Sequence, residues 1–155
     1  MKTPEVPSFI EWVAAAREAR TGDPLWSVQA HRLALYAIAC HTSDRQANIE
    51  FAQAATFDQL SRAIGSIAAN IAEGYSRASL PDRNRFYEYA LGSTREAIDW
   101  YDTVRVELGL ATDERQSTLI QIRRLLLTTL RTSRGGGPPL SIADPTRRTT
   151  SVDDS

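Results

Sequence analysis

The sequence predicts an all-α fold, an antiparallel up-down four-helix bundle with a short N-terminal helical extension and a flexible C-terminal tail. Three observations predict it. Leu60, Ile64, Ile67 and Ile71 recur at spacings of four, three and four, the seam of a bundle helix. Leu119, Ile122, Leu126 and Leu130 form a second such seam near the far end of the chain. Between and around these seams, capping residues and glycines cut the chain into helix-length pieces, and no strand-like alternation is long enough to name.

Taken in order, Ser8 and Glu11 have capping-box spacing and open a helix from Phe9 to about Arg20, which Thr21-Gly22 ends. Asp23 followed by Pro24 is an N-cap and first-turn pair. It opens the first bundle helix, from Pro24 to about His41, with Trp26, Leu33, Tyr36 and Cys40 along one side. The pattern weakens over Ser43 to Ala55, where helix and loop stay equally open, and the second bundle helix starts near Thr56. Gly74 is placed as its C-cap glycine, since only glycine enters the left-handed region cheaply. Ser79, Pro81 and Asp82 begin a third helix of about 28 residues, roughly 40 Å long at the helical rise. Its expected seam is Phe86, Ala90, Ser93, Ala97, Trp100, Val104 and Leu108, and Gly109 stops it. Thr112, Asp113 and Glu114 open the fourth helix, which Gly135-Gly136-Gly137-Pro138-Pro139 ends. Residues 1–134 thus read as one domain, with 1–23 the extension and 24–134 the bundle core. Residues 135–155 read as a tail, disordered or docked on a partner, because so few large apolar residues do not repay ordering.

At 155 residues the chain has room for one core. A net charge of -1 and a pI near 6.1 argue against a surface that is cationic all over. Only residues 111–134 are basic, with five arginines against two acids. A single cysteine, Cys40, lies in the apolar run Leu33 to Cys40, so no intramolecular disulfide forms and a reducing cytoplasm is expected. That run is far shorter than the ~20 residues a bilayer requires, so no membrane contact is expected.

Between the helix-two seam residues lies the segment Arg-Ala-x-x-Ser-Ile-x-x-Asn-Ile-Ala-Glu-Gly, residues 62–74, followed by Arg77, Phe86, Tyr89, Gly92, Ser93 and Glu96. This pattern resembles the 23S rRNA-intervening-sequence proteins, over roughly Leu25 to Arg134. The resemblance implies a four-helix bundle and leaves activity open, since the family is named for where its genes lie. It also extends to the accessory variability determinant of diversity-generating retroelements. That likeness implies a homo-oligomer, a pentameric ring, and partners that include RNA or DNA and a reverse transcriptase.

The residues themselves point first to assembly. Arg62, Ser66, Asn70 and Glu73 on helix two, with Ser93 and Glu96 on helix three, form a candidate oligomer interface or buried polar network. The helix is also too apolar and too rich in small residues around its circumference for a free monomer. A paired-carboxylate site at Glu73 and Glu96 would want Glu-x-x-His motifs, which the sequence lacks, so neither metal nor cofactor is expected. His31 and His41 lie about 280° apart around a helix and cannot share a ligand, so each reads as a surface or partly buried imidazole. Cys40 and His41 point about 100° apart, which leaves the thiol a structural role rather than a catalytic one. The candidate nucleic-acid contacts are Tyr75, Arg77, Arg83 and Arg85, with Tyr87 beside them, and Arg124 and Arg131 on helix four. The leading expectation is a non-enzymatic homo-oligomeric scaffold or adaptor. The alternative is an RNA- or DNA-binding accessory protein beside a nucleic-acid enzyme.

Overall fold

The computed structural model describes residues 5–48 and 55–135, and every regular element among them is helical. Six α-helices follow one another: α1 Phe9–Ala14, α2 Glu18–Thr21, α3 Gln29–Ala47, α4 Ala55–Tyr75, α5 Leu80–Leu108 and α6 Asp113–Arg134, with a 3-10 turn at Pro24–Ser27 before α3.

The capping signals account for most boundaries. Ser8 and Glu11 form the reciprocal capping box, the Ser8 amide donating to Glu11 Oε2 at 3.0 Å. Ser79 Oγ accepts from the Asp82 amide at 3.2 Å, and Pro81 sits in the first turn of α5. Gly109 closes α5 with φ 63°, the left-handed conformation that glycine reaches without a Cβ penalty.

Four expectations need correction. The N-terminal helix is two short pieces, because Arg17 is extended at ψ 150°. Phe9 and Trp12 pack edge-on against Tyr36 of α3, and the chain then turns to bring Trp26 against Trp12. Asp23 does cap, accepting from the Leu25 amide at 2.8 Å, but it caps the 3-10 turn. Extended Val28, at ψ 106°, separates that turn from α3, which then runs past His41 to Ala47. Gly74 is no C-cap. It sits inside α4, buried, where an added Cβ would come within 2.8 Å of the Tyr87 ring. On α5, finally, the fully covered stripe is Ala90, Ala97 and Val104 together with Tyr87, Thr94 and Tyr101, whereas Phe86, Ser93 and Trp100 lie at its half-buried edge. The reason is that α5 packs against both α4 and α6, which widens its buried arc, and Thr94 enters the core by donating its hydroxyl to the Ala90 carbonyl at 2.7 Å.

The core gathers α3, α4, α5 and α6, with Leu60, Ile67, Ala90, Ala97, Leu119 and Ile122 fully buried at its centre. Helices α4 and α5 run in opposite directions: Thr56 donates to Glu107 near one end and Gly74 meets Tyr87 near the other. Helices α5 and α6 are likewise opposed, Arg105 pairing with Asp113 and Glu88 with Arg134. Arg115 near the start of α6 reaches Asp44 near the end of α3. Residues 49–54, within the stretch the sequence left open, and the tail 136–155 lie outside the described residues.

Candidate functional site

The sequence places Ser66, Asn70 and Ser93 on facing helix sides, and the structure joins them. Asn70 Nδ2 donates to Ser66 Oγ at 2.9 Å and to the Ser66 carbonyl at 2.8 Å, and Ser93 Oγ donates to Ser66 Oγ at 3.0 Å. All three are half-buried, so this network lies along the outer seam between α4 and α5 and not in the core. Glu73 and Glu96 are exposed and have separate partners. Glu73 pairs with Arg77 one turn on, and Glu96 accepts from Trp100 Nε1 at 3.3 Å. Arg62 is exposed on the same side of α4. Among the described residues no cluster of three metal-ligating side chains occurs.

Immediately before Ser66 and Ser93 stand Gly65 and Gly92, both in mid-helix, and a Cβ built on either meets nothing within 4 Å. An internal helical glycine costs roughly 0.5–1 kcal/mol relative to alanine. No neighbour among the described residues demands one at these two positions, in contrast to Gly74. Phe86 borders the same face, half-buried and edge-on to Tyr89 at 5.8 Å, and Tyr89 is 53 % exposed.

The arginine turn sits at the end of this face. Arg77 stacks over the Phe86 ring at 4.8 Å while paired to Glu73, and Arg85 lies 5.7 Å from the same ring while 3.2 Å from Asp82. Arg83 turns the other way, its Nη2 donating to the Arg77 carbonyl at 3.1 Å. Tyr75 is exposed, as are Arg124 and Arg131 on α6. Tyr87, read as a stacking residue, is instead 7 % exposed and packed on Gly74, and burial raises its phenol above the usual range.

Sequence reasoning missed a polar cluster inside the bundle. Arg115 binds Asp44 through two parallel bonds, Nε to Oδ2 at 2.8 Å and Nη2 to Oδ1 at 2.7 Å. That bidentate pairing holds the guanidinium firmly protonated and outweighs its partial burial, which acts in the opposite direction. Next to it, burial pushes the Cys40 thiol up and the Tyr36 phenol up to about 12. The Tyr101 phenol, also buried, is driven higher still. His41 is buried, stacks on Phe57 at 5.7 Å and meets Ser61 Oγ at 2.6 Å. Since Ser61 gives its own proton to the Phe57 carbonyl, His41 Nε2 donates to Ser61, and burial favours the neutral ring by holding its pKa down at about 4. An expected surface or partly buried imidazole is therefore a core one.

Residues 29–130 match the family model for 23S rRNA-intervening sequence proteins, well over half of the chain. The chain belongs to that family. Within the match fall the whole α4–α5 face, the Arg77 turn and the Asp44–Arg115 pair, so this family member carries its candidate site, Arg131 apart, inside the shared core. Helices α1 and α2 and the Pro24–Ser27 turn precede the match. No curated protein and no solved structure matches the chain. No helix among the described residues is long and apolar enough to cross a membrane.

Proposed function

We propose that this family member is a non-enzymatic, homo-oligomeric helical scaffold or adaptor, its four long helices closing as an antiparallel up-down bundle whose α4–α5 outer face meets another copy. The observation that carries the reading is the pair Gly65 and Gly92. Each forgoes helix stability, and nothing among the described residues approaches its missing Cβ. Close approach of a second backbone repays that cost, as small residues do wherever helices pack tightly. Around them the Ser66–Asn70–Ser93 network presents a pre-ordered polar strip, and Tyr89 offers a large, partly exposed ring of the kind that anchors interfaces. A pentameric ring is the stoichiometry the family resemblance suggests.

Light scattering at micromolar concentration tests the reading. A mass several times 17.2 kDa supports it, and a monomer would end it. Nucleic-acid binding ranks second. It rests on the exposed Arg124 and Arg131, but Glu73 and Asp82 offset the charge of Arg77 and Arg85, which weakens the turn as a phosphate clamp. RNA binding that weakens steeply with rising salt and is abolished by Arg124→Glu/Arg131→Glu would reverse the ranking.

A further inference from the structure

The N-terminal extension encloses space as well as covering α3. Between α1, α2 and the outer side of α3 lies a cleft of about 600 Å³. Trp12 and Trp26 make one wall, their ring centroids 6.0 Å apart and their planes tilted by 37°. Leu35 and Ile38 of α3, both half-buried, make the floor, and the alanines at 15, 16, 19 and 39 line the rest without filling it. The charged side chains among the lining residues are Arg17 and Arg20. Both are exposed, and neither is ion-paired among the described residues.

A smaller hollow of about 150 Å³ shares Arg20, Trp26 and Leu35 with the cleft and ends on His31 and Asp23. Asp23 already caps the Leu25 amide. His31 is half-buried, and its Nδ1 is buried with no hydrogen-bond partner in the structure. Burial and the nearby charge of Arg20 both hold His31 toward its neutral form.

The dimensions and chemistry suit a small molecule. Ligand sites are concave, mostly apolar, about 300–1,000 Å³ in volume, and carry a few polar groups that fix orientation. Here the walls are aromatic and aliphatic, so the body of the ligand is apolar. The two unpaired guanidiniums require that its charged end be an anion, and Arg recognises a carboxylate through paired N–H donors.

We propose that this cleft binds an aromatic monocarboxylate with a one- or two-ring body, the ring against Trp12 and Trp26 and the carboxylate at Arg17 and Arg20. Most of the lining precedes residue 29, where the family match begins. The site is therefore built by this chain's own extension, and it is independent of whether the α4–α5 face assembles copies.

Tryptophan fluorescence of the full-length chain provides the test, because Trp12 and Trp26 lie in the cleft while Trp100 is on α5. The probes are 2-naphthoate and its uncharged counterpart 2-naphthalenemethanol. We expect saturable quenching by 2-naphthoate. Arg17→Gln/Arg20→Gln should weaken 2-naphthoate about tenfold and leave 2-naphthalenemethanol unchanged, since only the former loses charge-assisted bonds. Trp12→Phe/Trp26→Phe should remove the quenching while unchanged circular dichroism confirms folding. The proposal is overturned by an absence of saturable quenching, by an equal loss of both probes in the arginine variant, or by quenching that persists through Trp100. Saturable quenching by an acidic amphipathic peptide without any by 2-naphthoate would also overturn it, in favour of a peptide groove.

Discussion

Gly74 of α4 lies flat against the Tyr87 ring of α5, so close that a methyl group on Gly74 would sit 2.8 Å from two ring carbons and 3.1 Å from the Arg83 carbonyl. The absent side chain lets the two helices approach at the end where α4 hands over to α5. Gly74→Ala should therefore destabilise the fold by about 1–3 kcal/mol despite alanine's better helix propensity, because the ring is buried and the carbonyl is fixed in a helix. Tyr87→Leu should recover part of the loss in the double variant. Thermal unfolding of the four proteins of this cycle measures the coupling, and additive losses would show that the ring is not what Gly74 accommodates.

Asp44 and Arg115 hold α3 to α6 from positions 71 residues apart, with side chains only 29 % and 25 % exposed. Removing one partner strands the other charge in a partly dry site. We expect Asp44→Asn and Arg115→Met each to cost about 2–3 kcal/mol, and the double variant to cost clearly less than their sum. Chemical denaturation distinguishes this from a solvated pair, for which each single loss would stay below about 1 kcal/mol.

Much of this was legible in the sequence, for local reasons. The Ser8 box, the Ser79 cap and the Gly109 stop depend on residues within one turn of each other, and the Leu119 to Leu130 seam depends only on helical period. Even the Ser66–Ser93 contact followed from two faces and one short connection. The rest depends on distant partners. Gly74 resembles a cap until the ring of Tyr87 is known to lie against it, and nothing near Asp44 in the chain announces Arg115. The break at Val28 has the same origin: the run from Pro24 to Gln29 has no local stop signal, and the turn serves to bring Trp26 onto Trp12. The reading of Cys40 as a structural thiol needed only its apolar neighbours, and its burial accords with that reading.

His41 should make stability pH-dependent. Burial lowers its pKa from 6.5 to about 4, so between those values the folded chain binds fewer protons than the unfolded chain. Its contribution is fully present above pH 6.5 and is lost as the pH falls toward 4. Between pH 7 and pH 5 the natural chain should lose about 2 kcal/mol more than His41→Gln, whose side chain does not titrate. Parallel stability curves for the two proteins would show that His41 is not the group responsible.

The proposed assembly face offers a substitution that separates folding from association. Since a Cβ at Gly65 or Gly92 meets open space, Gly65→Ala and Gly92→Ala should raise the stability of an isolated chain by about 0.5–1 kcal/mol through helix propensity alone. Larger side chains there occupy the room that a second backbone would need. Gly65→Leu/Gly92→Leu should accordingly keep full helicity by circular dichroism and elute as a 17.2 kDa monomer where the natural chain is larger. The Asn70, Ser66 and Ser93 bonds would be untouched, so a monomer would reflect blocked approach and not a broken network. If the leucine variant assembles at the natural mass, copies meet through some other surface, and the two glycines lose the explanation given for them.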